Sequence, residues 1–490
     1  MDRLLHGIQS QIIELCVLDT LLSFSNIPFL FYYGNDAKDP DFMSSEQLRD
    51  SFIMTLLDFP ILVGHLEMDG SGHARVVVDK NNLNLPEYLE SQSSVHFRDL
   101  QASKFSWDAL PRGVATTGSV TTSNLDGTIK LANAHVVRLQ DNSGLALFIN
   151  TTHAVFDGIG YCTFVNRWAE ISKWMRSGNT TNELPMFQGR FTRDTLAKHM
   201  PVERRALDGC TREMFTKSGL LSRWLAWISP RTRGALIGNA VSLPHNKGHL
   251  FHISPSMLAL LHCSIEEYVD CTERVSDNDI LTALVSMLVA QSEAEQTTWH
   301  SHLSSLASLA SSLIPSIFAQ DRMFATEIVI DMRPRLAGLS AAKYTGNAVF
   351  AGCLTNTFEN VTGGISARSL ALVARRVRQL VSHVDAPYIA QLLDMLNSDP
   401  SRFMCPLAQD ITRMPAVVSN QSRFEFYNAD FGSGIPAWVS PIEIQFPHYV
   451  SIIPVHPLAG GYGIHITMSE RAMANILRNK YWMNTVDLIY

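Results

Sequence analysis

Residues 150–160 read NTTHAVFDGIG, and how this stretch is read decides the fold. Upstream, GLALFINTTHAV (144–155) is a compact apolar run with the composition of a strand. Downstream the period changes: Tyr161, Phe164, Trp168, Ile171 and Met175 fall on one face of a helix. His153 to Gly158 therefore lie where a strand hands over to a helix. An imidazole held on a strand end, with a pKa near neutrality, can take a proton from an attacking hydroxyl or amine. Gly158 would let a substrate or cofactor come close. The same residues also suit a histidine that closes a strand, followed by an Asp-Gly turn. Both readings stay open on this stretch alone.

Working outward, the chain alternates strands and helices. LRDSFIMTLLDFPILVGHLEM (48–68) places Leu48, Phe52, Leu56 and Phe59 at helical spacing, and Pro60 and Gly64 end the pattern. ARVVVDK (74–80) and LANAHVVRLQ (131–140) read as strands. Further on, a helix is expected over 276–292 with Ser276 or Asp277 as its cap, strands over 326–333 and 347–356, and an amphipathic helix over 365–384. Residues 177–205 carry Asn, Thr, Pro and Gly clusters with little period and read as a crossover. With 490 residues and 46% hydrophobic content the chain exceeds what one core supports, so two subdomains are expected, 1–205 and 206–490. The Ser/Leu-rich segment 297–320 reads as a packing or surface helix, a flap or an oligomer contact.

Composition removes several function classes. A formal charge of −7 and no long Lys/Arg run leave no field for a nucleic-acid backbone. Seven scattered cysteines without a Cys-x-x-Cys pair speak against a disulfide framework or a thiolate zinc site, which suits a reducing, cytoplasmic compartment. The apolar segment 15–33 is broken by Asp19 and Pro28, so neither a signal peptide nor a membrane span is expected there. His65, His135, His448, His456 and His465 lack metal-ligand spacing, and no metal is expected. A Gly-x-Ser-x-Gly elbow is missing as well, which weakens a serine-hydrolase reading.

A second signal lies near the other end, in YNADFGSGIPAWV (427–439), where Asp430, Phe431, Gly432 and Gly434 form a turn after a strand-like run. A kinase reading of Asp-Phe-Gly fails, because the chain has neither the Gly-rich loop with its strand lysine nor a His-Arg-Asp loop. Taken together, HAVFDG and DFGSG resemble the two signatures of the BAHD acyltransferases, His-x-x-x-Asp and Asp-Phe-Gly-Trp-Gly, with Ser433 where the family has tryptophan. SDNDILTALV (276–285), IDMRPRL (330–336), YTGNAVF (344–350) and GGYGIHITMSERAM (460–473) are also similar, so the resemblance spans nearly the whole chain. The serine variant resembles fungal members that decorate secondary metabolites, of the trichothecene O-acetyltransferase type.

The resemblance implies an α/β fold: the two-subdomain, chloramphenicol acetyltransferase-like architecture of mixed sheets flanked by helices, with a channel between the halves. It implies acyl-CoA, with acetyl-CoA preferred, as cosubstrate, a small-molecule alcohol as acceptor, no bound cofactor, and a monomer. His153 would be the general base, with no covalent intermediate. Asp157 would point away from the histidine and pair with an arginine. Asp430 would pair with an arginine of the Asp-x-Arg strand, Arg333 being preferred to Arg335. Gly158 and Gly432 would be structural. Tyr344 and Asn347 would lie near the CoA channel or in a plain turn before a strand. Gln421 stands where the family often has an oxyanion-binding tryptophan, with Ser419 or Asn420 as substitutes. Arg204, Arg205, Arg212, Arg231 and Arg233 could meet CoA phosphates or be ordinary surface charges. Two other readings remain: a condensation enzyme using a carrier-bound donor, and a silent homologue that only binds a small molecule.

Overall fold

A computed structural model describes residues 7–23, 25–69, 73–109, 113–114, 128–178, 184, 186–189, 194–209, 211–212, 246–270, 274–294, 323–357, 360–361, 363–398, 416–442 and 448–490. The segment 297–320, Cys210, Arg231 and Arg233 lie outside them.

The first half contains β1 (Gln11–Glu14), α1 (Val17–Leu22), β2 (Asn26–Gly34), α2 (Ser45–Asp58), β3 (His65–Met68), β4 (Ala74–Val78), β5 (Glu87–Gln92), β6 (Ala132–Arg138), β7 (Gly144–Thr152) and α3 (Gly158–Arg176). The second contains β8 (Asn246–Ile253), α4 (Asp277–Ala294), β9 (Met323–Asp331), β10 (Val349–Thr357), α5 (Ala367–His383), β11 (Ala416–Asn420), β12 (Trp438–Pro441), β13 (Tyr449–Pro454), β14 (Tyr462–Ser469), α6 (Glu470–Arg478) and β15 (Asp487–Leu488). Among the described residues these form a five-stranded sheet ordered β12-β2-β7-β6-β5, a seven-stranded sheet ordered β10-β9-β11-β13-β14-β8-β15, and a small sheet β1-β4-β3. Both large sheets are mixed: β5–β6, β9–β11 and β11–β13 run parallel and the other pairs antiparallel.

The helical stripes do what their spacing predicts. Leu48, Phe52 and Leu56 of α2 are buried together with Phe59, against Tyr161, Phe164 and Trp168 of α3 and one face of the five-stranded sheet. Full burial of such side chains stabilises by about 1.5–3 kcal/mol each. The Trp168 indole N–H also donates to the carbonyl of Leu48 at 3.1 Å, so α3 is tied to α2 by direction as well as by area. On the seven-stranded sheet, residues of α4, α5 and α6 cover one face with a second apolar cluster. Its other face carries a polar row, Ser419, Ser451 and His465, in register across β11, β13 and β14. Trp107, from the first half, stands edge-on to His465 at 5.0 Å, so that polar face looks towards the first half.

Packing crosses the expected boundary at residue 205 in both directions, through a strand one way and a helix the other. After β11 the chain leaves the seven-stranded sheet, donates β12 to the edge of β2, and returns as β13. Conversely Val17, Leu18 and Leu21 of α1 are buried with Ile328, Met332 and Tyr388 of the second half. Pro28, read from sequence as an interruption, is accommodated inside β2, where β12 pairs with Phe29–Tyr32 and, among the described residues, no strand pairs with Pro28 on that side. Cys16, Cys162 and Cys263 are free thiols, whereas Cys353 is disulfide-bonded, which the scattered cysteines do not foreshadow. No described helix is long and apolar enough to cross a membrane.

Candidate active site

β7 ends at Thr152, α3 begins at Gly158, and His153 to Asp157 form the turn between them, as the period change predicts. The His153 peptide is held on both sides: its N–H donates to the carbonyl of Ser25 at 2.8 Å, and its carbonyl accepts from the Asn347 amide at 2.7 Å. The imidazole Nδ1 is buried without a partner in hydrogen-bond geometry. Burial lowers the pKa of the ring below the ordinary histidine value, opposed by the charge of Asp157, the residue's own carbonyl, Asn347 and Asp19. The ring is thus biased towards its neutral form, the form that can accept a proton.

Asp157 does not orient that ring. It caps α3, accepting from the N–H groups of Ile159 and Gly160 at 3.1 Å each. Its carboxylate also takes both ends of the Arg333 guanidinium, at 2.8 and 3.0 Å, and the N–H of Ala348 at 3.0 Å. Arg333 in turn donates to the carbonyls of Tyr344 and Gly346 at 3.1 and 2.7 Å. Burial alone would lower the Arg333 pKa, but Asp157 and Asp331 outweigh it and hold the guanidinium charged. This pair is only 5% and 1% exposed, and it joins the start of α3 to the β9–β10 connection.

Gly158 and Gly160 are required by close approach. A Cβ on Gly158 would stand 2.0 Å from the Phe424 ring, and one on Gly160 would stand 2.1 Å from the carbonyl of Thr345. Segments from the second half therefore rest directly on the first turn of α3. Gln421 belongs to one of them. Its side-chain amide donates to Ser419 at 3.2 Å, its Oε1 is buried without a partner, and neither residue hydrogen-bonds to His153. Asn347 is fully buried, and its amide gives its hydrogens to Asp19 and to the His153 carbonyl, so it holds the turn and has none left for a substrate oxyanion. Tyr344 and Arg333 border a cavity of about 600 Å³ that also touches Ile159, Arg167 and Lys343 but not His153.

The second signature lies elsewhere, and here the expected pairing is corrected. Arg333 is taken by Asp157, while Asp430 binds Lys173 at 2.6 Å and the N–H groups of Gly432 and Gly434 at 2.9 Å each. The physical reason is position: Asp430 packs beside the last turns of α3, about 24 Å along the helix axis from Asp157. Gly432 and Gly434 have φ of +97° and +100°, a region that favours glycine. Phe431 is buried edge-on to Trp168 and Tyr33. Ser433 contacts Arg176, which also meets Asp39. Burial would raise the Asp430 carboxyl, but Lys173 and the two glycine amides outweigh it and hold it below the usual carboxylate range. Because Lys173 is 60% and Asp430 23% exposed, this is not the buried pair the family resemblance implies. Asp430→Ala should therefore cost only about 1–2 kcal/mol, from two backbone amides left without their acceptor, and should leave kcat within about threefold of wild type. Urea unfolding and steady-state rates measured on the same preparation check both numbers.

Two features escaped sequence reading. Asp19 registers there only as a charge interrupting an apolar segment, yet it is completely buried and bonded to Asn347. Lys173 carries no motif signal of its own. Of the basic residues considered for CoA phosphates, Arg204 and Arg205 are paired with Asp394 and Asp385.

The profile of the Transferase family matches residues 6–205 and 299–483. The chain is 29% identical over 204 residues to the BAHD acyltransferase DCR of Arabidopsis thaliana, a match covering 37% of this chain and only 40% of that relative. It is 22% identical over 467 residues to a hydroxycinnamoyl-CoA:5-hydroxyanthranilate N-hydroxycinnamoyltransferase of Avena sativa, covering 93% of this chain and 92% of the relative. In fold it is similar to F. graminearum TRI101, crystallised with coenzyme A and deoxynivalenol, with a TM-score of 0.72 at 14% identity, covering 98% of this chain and all of that one. Vinorine synthase superposes with a TM-score of 0.62 at 15% identity, over 98% of each chain. With both signatures in place and the family profile matched over most of its length, the chain belongs to the BAHD acyltransferases and has their two-subdomain, chloramphenicol acetyltransferase-like fold.

Proposed function

We propose that the protein is an acyl-CoA-dependent O-acyltransferase that moves an acetyl group from acetyl-CoA to a hydroxyl of a fungal secondary metabolite, a terpenoid, polyketide or alkaloid, with His153 as general base. The observation that carries this reading is the His153 imidazole itself: half-buried with its Nδ1 sealed from solvent, biased towards neutrality, and set on a turn whose aspartate is committed to Arg333. In the proposed reaction His153 takes the hydroxyl proton as the acceptor oxygen attacks the thioester carbonyl. The tetrahedral oxyanion then collapses and expels CoA thiolate, to which the imidazolium returns the proton. With the Asn347 amide occupied, the second Gln421 amide hydrogen and the Ser419 hydroxyl are the donors we assign to the oxyanion. We also propose a monomer in the cytoplasm, a location against which the disulfide at Cys353 counts.

Acceptor-dependent thiol release from acetyl-CoA, across a panel of hydroxylated terpenoids, polyketides and alkaloids, tests the proposal. Release with at least one acceptor, and product carrying one acetyl ester, supports it. Turnover only with a carrier-bound donor would replace CoA by a carrier protein, and binding without turnover of any donor would make the chain a silent homologue. A pH profile adds an independent check. Since burial lowers the His153 pKa, the acid limb of kcat/KM should fall below pH 6.5, with activity retained as pH drops until the imidazole protonates.

A further inference from the structure

We infer that Asp19 is a positioning residue for the reaction, acting on His153 through Asn347; this rests on the general-base reading above. Asp19 lies in the first turn of α1, 134 residues before the histidine, and is completely buried. Its Oδ2 accepts from the N–H of Cys16 at 2.8 Å, a contact internal to the cap of α1. Its Oδ1 does something a cap does not need: it accepts from both the backbone N–H and the side-chain amide of Asn347, at 3.1 and 2.7 Å. The other hydrogen of that amide goes to the His153 carbonyl at 2.7 Å. A planar amide whose one hydrogen is pinned to a carboxylate has its second hydrogen aimed in a fixed direction, so Asp19 sets where the His153 carbonyl can lie.

The peptide on the other side of the His153 Cα is anchored from the same piece of chain. Ser25, three residues beyond α1, accepts the His153 N–H at 2.8 Å. The segment from α1 to Ser25 thus holds the peptide before His153 directly and the peptide after it through Asn347. Burying a carboxylate is expensive unless every bond it makes is used. A neutral cap would serve α1 alone at lower cost, so the charge points to a second task.

That task has an electrostatic part. The charged groups facing the imidazole are Asp157 from the start of α3 and Asp19 from α1, and Arg333, from the turn after β9, clamps Asp157. Both carboxylates favour the imidazolium that forms as the proton is taken.

Asp19→Asn, Asn347→Ala and the double variant, followed by thiol release, test the inference. Asp19→Asn should lower kcat by about 10- to 100-fold, the scale of a small misplacement of a reacting group, with KM for acetyl-CoA within about threefold. Loss of the carboxylate should also move the acid limb of kcat/KM to lower pH, which a merely structural cap would not do. Because both residues act in one chain of bonds, the double variant should be no slower than the slower single one. Wild-type kcat and acid limb in Asp19→Asn, or losses that multiply in the double variant, would overturn it. Should Asp19→Asn fail to fold, Asn347→Ala carries the test, with an unchanged kcat as the contrary result. A readout independent of turnover is the His153 signal in protein labelled at histidine Cε1, identified by its absence from His153→Ala: it should titrate at lower pH in Asp19→Asn, and an unmoved titration would count against the inference. If His153→Ala itself turns over like wild type, the general-base reading falls; if it is inactive while Asp19→Asn is normal, only the role of Asp19 falls.

Discussion

His153→Ala is expected to lower acceptor-dependent turnover by about 10²- to 10⁴-fold, the usual share of a positioned general base, while its unfolding midpoint stays near that of wild type. The two halves of this expectation come from different atoms. The backbone N–H and C=O of residue 153 make the bonds to Ser25 and Asn347, and alanine keeps both. Only the imidazole is lost, and its Nδ1 makes no hydrogen bond that holds the fold. Truncating a half-buried ring still removes some packing, so a small loss of stability is compatible, but a collapse is not. Equal thiol release by the variant and the wild type would remove His153 from the reaction. A variant that is inactive because it no longer folds would mean that the ring, rather than its peptide, holds the turn.

Asp157→Ala is expected to do the reverse, costing about 3–5 kcal/mol of stability because it leaves a buried guanidinium uncompensated. Five hydrogen bonds converge on this carboxylate, two from Arg333 and one each from Ile159, Gly160 and Ala348. Removing it therefore strips the cap of α3 and loosens the β9–β10 connection together. Arg333→Met should be milder than Arg333→Ala, since an apolar side chain of similar length refills part of the space, although Asp157 is then the orphan. Denaturant midpoints check the order. An Asp157→Ala protein as stable as wild type yet inactive would return the aspartate to a catalytic role, and a loss of only about 1 kcal/mol would mean that water reaches the pair.

What could be read from the sequence was local. The stripe Tyr161, Phe164, Trp168 and Ile171 placed α3 correctly, because a 3.6-residue period can be seen within one element. The same holds for β7, β9, β10 and α5, and for the turn that carries His153. What could not be read was partner choice over long separations. Asp430 and Lys173 are 257 residues apart, and nothing local distinguishes Lys173 from the other 38 Lys and Arg residues of the chain. The family resemblance supplied an arginine, and the Asp-x-Arg strand offered one, but Arg333 can serve only one buried carboxylate at a time. Asp19 was legible as an anomaly, a charge inside the apolar run 15–33, and its meaning depended on Asn347, 328 residues away. β12 was invisible for a related reason: a strand of four residues carries little period, and its place beside β2 is set by the path of the chain between β11 and β13.

That path bears on how the protein is made. β2 is an apolar strand, NIPFLFYYG, and among the described residues the flank carrying Phe29 to Tyr32 is closed by Trp438 to Pro441. A ribosome must therefore add some four hundred residues after β2 emerges before that flank has its partner. Through all that time an unpaired, greasy ribbon is on offer to other nascent chains. Fragments ending ahead of residue 441 should for this reason clump when expressed alone, and supplying the stretch 422–442 in trans should keep them dispersed. A strand nine-tenths of the way along the polypeptide acts as the clasp that retires a hazard exposed since its first tenth.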